Sequence, residues 1–265
     1  MYWRFFILSL LLTGSASLAV GAQSPTSNLY VFPLFADGTG SGVTYRATVR
    51  ITKTSAATPM ECLLTQRNTA APFTGVVGYF YSADVVEAGF SPAAVSQLFL
   101  DQFLPFEILR TKGQAPLKTG YAELSCPGTV VTDLQLSTFD AQNNKLGEAT
   151  IPPATRGMSF QFLIDRRDGT RLAFSLVNDS AAEGQIQLIA RDQFNNVVDQ
   201  NFNQMILPFS QVSRFVDEML NLPSNFVGNV ELVGVSGGTN YAIGLQYTGT
   251  VFTTVQPLVR STPLP

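Results

Sequence analysis

Two cysteines, nineteen acidic side chains and no histidine bound the chemistry open to this chain. Without an imidazole, neither a Ser-His-Asp nor a Cys-His nucleophile system can be assembled. Two cysteines and no histidine also fall short of an ordinary structural zinc site. Gly38-Thr39-Gly40-Ser41-Gly42 has the glycines of a phosphate-binding loop but lacks the Gly-Lys-Ser/Thr ending and the helix that must follow. It reads as a turn in which glycine permits positive φ. Acids alone can run glycoside hydrolysis if two of them flank a bond. The available pairs, Asp165 with Asp168 and Asp217 with Glu218, are sequence neighbours at a turn or on a helix, where acids cap and solvate. Asp37 and the Asp165 to Asp168 loop offer oxygens to calcium, yet neither completes a calcium loop, and Arg166 and Arg167 oppose a cation. The expectation is therefore no catalytic residue, no metal and no cofactor. Asn178-Asp179-Ser180 fits a glycosylation sequon and equally an Asx turn.

The two thiols acquire meaning from the N-terminus. Arg4, the apolar run Phe5 to Leu12 and the small residues Val20-Gly21-Ala22 form a signal peptide over 1–22, with the mature chain starting at Gln23. The run is short for a transmembrane helix, and no later stretch is long enough, so no stable membrane insertion is expected after cleavage. Localisation is read as secreted, periplasmic or cell-surface. In such a compartment Cys62 and Cys126 would form a disulfide stabilising by roughly 3 to 4 kcal/mol, the alternative being two buried free thiols. A net charge of −3 gives no electrostatic case for nucleic acid or an anionic membrane.

Strands must position whatever site exists. Charged residues make up 13% of the chain, and twenty Phe with many Thr, Val and Ser favour β structure. In Thr170 to Asn196 the alternating runs Leu172-Phe174-Leu176 and Ile186-Leu188-Ala190 flank a tight polar link and read as a hairpin. Thr44 to Arg67 looks like a diverged copy. There the inward set of the second strand stays open between Met60-Cys62-Leu64 and a register favouring Leu63. Leu104-Pro105-Phe106 matches Leu207-Pro208-Phe209, and Gly120 to Leu124 matches Gly228 to Leu232, in the same order. These matches give modules at 23–153 and 154–262, with a boundary at Pro152-Pro153 and a modest interface. The first module carries an insert at about 68–104. Its Ser91-Pro92 resembles a helix start, and Phe99 to Phe106 reads as helix or strand. Arg214 to Leu220 has helical spacing and predicts one or two turns. Tyr79, Phe80 and Tyr81 are the candidate ligand surface, since loops that differ between modules carry function; the competing role is to cover the core.

Several runs carry a resemblance: Phe35-Ala36-Asp37-Gly38 before a Thr-rich strand, Leu109-Arg110-Thr111-x-Gly113, Gly120-Tyr121-Ala122, and Gly244-Leu245-Gln246-Tyr247 with Phe252-Thr253-Thr254. The chain resembles a family of exported tandem β-sandwich modules of environmental bacteria, immunoglobulin-like in organisation and without an assigned catalytic site. It departs from that pattern between Asn68 and Leu104. The expected fold is all-β: two tandem immunoglobulin-like β-sandwich modules with one or two short helices. The expected function is non-enzymatic: adhesion, surface assembly or ligand binding with a protein or polysaccharide partner. The alternative is binding of a carbohydrate or cell-envelope polymer through the aromatic insert, and a carboxylate-only hydrolase comes third.

Overall fold

The computed structural model describes residues 27–54, 60–68, 81–82, 95–100, 106–111, 113, 116–236, 240–249 and 251–260. Its strands are β1 (Asn28–Gly40), β2 (Val43–Lys53), β3 (Met60–Asn68), β4 (Tyr81–Ser82), β5 (Val95–Leu100), β6 (Phe106–Arg110), β7 (Lys118–Cys126), β8 (Val130–Phe139) and β9 (Lys145–Ile151) in the N-terminal half. The C-terminal half has β10 (Arg156–Gly157), β11 (Ser159–Asp165), β12 (Arg171–Asn178), β13 (Gly184–Asp192), β14 (Val197–Ile206), β15 (Ser210–Phe215), β16 (Val227–Ser236), β17 (Asn240–Thr248), β18 (Val251–Val255) and β19 (Leu258–Arg260). The fold is all-β, in three antiparallel sheets of sandwich type.

The first sheet, ordered β4-β6-β2-β1-β7-β3-β5 with β8 and β9 continuing from β2, folds over on itself. β1 makes the fold possible. Its first part pairs with β7, its last residues pair with β2, and the register slips between Phe32 and Phe35. Pro33 lies in that irregularity, where a missing N–H breaks no ladder bond. Phe32 and Phe35 are fully buried there between the leaf that carries Leu64 and Leu124 and the leaf that carries Ile51 and Leu134. In the C-terminal half, the sheet β10-β17-β12-β15, with β18 beside β17, faces the sheet β14-β13-β16-β11-β19. Leu172, Phe174 and Leu176 of β12 meet Phe160, Phe162, Leu188 and Leu232 across that second core.

Three expectations are corrected. The Thr170 to Asn196 segment is not a hairpin: β12 pairs with β15 and β17, whereas β13 pairs with β14 and β16 in the facing sheet. β2 and β3 part in the same way into opposite leaves. Alternation fixes which side chains point inward but not which strand lies alongside, so a tight polar link serves a sheet-to-sheet corner as well as a hairpin. The helix over Arg214 to Leu220 shrinks to a 3₁₀ turn, Val216–Glu218, because Arg214 and Phe215 are consumed by pairing with β12. Val95–Leu100 is strand, paired with β3, while residues 91–94 lie outside the described residues. The open register in β3 resolves with Cys62 and Leu64 buried and Leu63 exposed.

The two halves meet along a buried seam. Every residue of β12 after Arg171 is buried. While Leu172, Phe174 and Leu176 face their own core, Ala173 joins the N-terminal core together with Ile243, Leu245 and Phe252. Val177 and Tyr241 close on Val31 and Tyr121 in a third cluster. Ser175 Oγ donates to the Pro33 carbonyl at 2.6 Å, using the acceptor that the β1 irregularity turns outward. Gln211 Nε2 donates in turn to Ser175 Oγ at 2.5 Å.

Candidate functional site

Where β1, β2 and β8 of one half meet β12, β15 and β17 of the other, the seam opens into a groove of about 290 Å³. Strand alternation builds it: Ala173, Phe215, Leu245 and Tyr247 occupy the sheet face that looks toward the N-terminal half. Leu34, Ala36 and Leu136 line it opposite, Tyr45 stands beside them, and Ser213, Arg214 and Glu218 provide polar lining.

The aromatic wall is held by contacts within the chain. Phe215 and Tyr247 lie 5.2 Å apart in a tilted arrangement, and Tyr247 stacks on Phe252 at 5.5 Å. The Arg171 guanidinium covers Phe215 with its carbon 3.8 Å from the ring centre. That guanidinium is fixed by a two-point contact with Asp217, Nε to Oδ2 at 2.9 Å and Nη2 to Oδ1 at 2.8 Å. Arg166 Nη2 adds a third bond to Asp217 Oδ2 at 3.1 Å. Arg171 accordingly lowers the Asp217 pKa and keeps its carboxylate ionised. Burial pushes the Tyr247 phenol up to about 12 and raises Tyr45 as well, so both are neutral hydrogen-bonding groups. Glu218 is the one carboxylate lining the groove.

Two acids do converge elsewhere in the seam. Glu123 on β7 hydrogen-bonds to Asp179, which follows β12, and Arg67 Nε donates to Glu123 Oε1 at 3.0 Å. Tyr121 OH donates to Asp179 Oδ1 at 3.2 Å, and Arg67 lies over the Phe209 ring at 4.7 Å. Burial, joined by the Asp179 carboxyl, raises Glu123 to about 7 against the opposing pull of Arg67. Tyr121 is fully buried, and its bond to Asp179 ties β7 to the segment that follows β12.

The residues singled out by sequence fare differently. Cys62 and Cys126 are bonded to each other, with Cα atoms 4.4 Å apart. They sit on paired strands of one leaf, unlike the inter-sheet bridge of an antibody domain. Tyr79 and Phe80 lie outside the described residues, and of Tyr81 the structure gives only its backbone pairing with Arg110 in β4. Asp165 is paired with Arg167, and Asp217 with Arg166 and Arg171. Asp37 is buried, and it accepts from Gly113 N at 2.8 Å and from Thr111. Gly113 has φ 69°, a conformation that glycine adopts at little cost. Asp37 thereby closes a turn, and no group of three or more metal-ligating side chains gathers among the described residues. Asn178 is buried, and its amide donates to the carbonyls of Ala182, Ile206 and Leu207, which makes it a structural Asx residue and no glycan acceptor.

Sequence reading missed Phe215, Tyr247 and Arg171. The signal was present in Arg171 and in Arg214-Phe215 at strand ends, but which ring meets which guanidinium depends on strand pairing. Compared with models of protein families and with curated proteins, the chain matches none of them.

Proposed function

We propose that this protein is an exported, non-enzymatic ligand-binding protein whose site is the groove between its halves. The observation that carries the reading is an apolar, aromatic-walled groove of about 290 Å³ with polar groups at its margin, near the lower size for small-ligand sites. The disulfide Cys62–Cys126 supports export, because such bonds persist in oxidising compartments. The ring contacts favour an aliphatic or aromatic side group over a flat sugar. Phe215 and Tyr247 already spend ring faces on Arg171, on each other and on Phe252, and a stacked pyranose needs a free face.

The test is a binding screen by NMR with short apolar peptides, aromatic amides and oligosaccharides. Apolar probes are expected to shift resonances of Tyr45, Phe215 and Tyr247, and Tyr45→Ala is expected to weaken them at least about tenfold, the scale of one lost hot-spot contact. Sugar binding that survives Tyr45→Ala but is lost in the Tyr79→Ala, Tyr81→Ala double variant would move the site to the insert. No binding of any probe by folded protein would refute the groove as a ligand site.

A further inference from the structure

Tyr45 of β2 and Tyr247 of β17 belong to opposite halves of the chain and line the same groove. Both are half-buried, and both rings pack at the edge of the N-terminal core. The Tyr247 ring is already in contact with Phe215 and Phe252, so its hydroxyl is the part left to a ligand. Among the described residues neither hydroxyl has a hydrogen-bond partner, and neither oxygen is sealed from solvent. Burial pushes both phenols above their usual value, and Tyr45 adds to the rise at Tyr247. The two hydroxyls therefore keep their protons and lie within electrostatic reach of each other.

A tyrosine packed into a fold ordinarily finds a partner for its O–H. Tyr30 and Tyr121 do so: Val130 N donates to the Tyr30 oxygen at 3.0 Å, and Tyr121 donates to Asp179 at 3.2 Å. Tyr45 and Tyr247 instead bring two unused donors to one apolar groove. On the reading that this groove is a ligand site, we propose that its occupant is an uncharged apolar amide, free or at the acyl end of a short peptide, whose carbonyl oxygen accepts from both Tyr45 and Tyr247. A carbonyl oxygen has two lone pairs and so can take two donors. The lining holds one acid, Glu218, and one base, Arg214, and thus offers no net charge to an ion. Leu34, Leu136 and Leu245 supply the apolar surface for the rest of the ligand. A volume of about 290 Å³, at the low end for small-molecule sites, limits the occupant to a small amide or one peptide end.

NMR titration of the purified protein with N-benzylacetamide, propylbenzene and phenylacetate tests this. The amide is expected to bind more tightly than the hydrocarbon or the carboxylate. Tyr45→Phe and Tyr247→Phe keep both rings and remove one hydroxyl each. Each should weaken the amide about three- to tenfold, the scale of one hydrogen bond, and leave propylbenzene unchanged. Amide binding that neither variant weakens, or that falls only in step with propylbenzene, overturns the role of the hydroxyls while the groove stands as a ligand site. Tighter binding of phenylacetate overturns the uncharged class. If folded protein binds none of these probes, the groove fails as a ligand site and the amide assignment falls with it.

Discussion

Glu123 reverses the usual effect of acid on a carboxyl-bearing fold. Its folded pKa is raised to about 7, chiefly by burial and then by Asp179. A carboxyl raised on folding binds its proton more tightly folded than unfolded, so its contribution is present at low pH and is lost as pH climbs through the folded value. Between the ordinary glutamate value of 4.5 and about 7, unfolding free energy should therefore fall as pH rises. Above that window Glu123 carries a charge that its burial disfavours, with Arg67 the cation directly bonded to it. Thermal melts from pH 4 to pH 8 check this, and Glu123→Gln should flatten that part of the profile. A wild-type profile with no downward slope there would contradict the raised Glu123 pKa. None of this was legible in sequence, where Tyr121-Ala122-Glu123 reads as a strand with its acid toward water. The cysteine pairing was legible, since two thiols in one half leave a single intramolecular bond to make.

At the scale of elements, the sequence disclosed strands better than partners. Among the described residues the long apolar runs are strands, but the polar links after β2 and β12 read as hairpin turns because local pattern carries no information about the neighbouring sheet. The Arg214 to Leu220 spacing failed for a related reason, pairing with β12 having overridden it. One repeated signal went unread: Asp140 with Asn144 and Asp192 with Asn196 close identical turns, each aspartate accepting from the backbone two and four residues on. The third turn residue is Asn143 or Asn195, at φ 65° and 68°, a region asparagine tolerates. Between β3 and β7 the Cys62–Cys126 bond closes a separation of 64 residues. The Cys62→Ala, Cys126→Ala variant should lose about 4 kcal/mol in urea unfolding, by loop entropy. A loss under about 1 kcal/mol would mean that the unfolded chain gains little freedom when the bond is removed.

The whole molecule is organised by β12, which presents one face to each of two cores. Halves that share a buried strand, a Ser175-to-Pro33 hydrogen bond and a Tyr121–Asp179 contact should unfold together. Calorimetry is expected to give one transition with calorimetric and van't Hoff enthalpies equal. Ser175→Ala, which leaves the Pro33 carbonyl unpaired, should lower stability by about 1 to 3 kcal/mol without splitting the transition. Two resolved transitions would show the seam to be a contact between independent domains. The Pro152-Pro153 link marks where the chain crosses between halves, but the extent of their contact was hidden, because Ala173, Ser175 and Val177 look like an unremarkable outward face until another half lies on them.

The two ends of the described chain are gripped unequally. β19 is three residues long and is held by β11 and one backbone bond from Met158, whereas β1 runs beside β7 for most of its length, and β7 is covalently tied to β3. Under tension between its ends, the protein yields first at the C-terminal edge strand. Peeling β19 pulls Val259 off the second core and uncovers Phe160 while the cross-linked leaf remains shut. Loading is thus graded by position along the chain, with a weak link at one end and a covalent stop near the other.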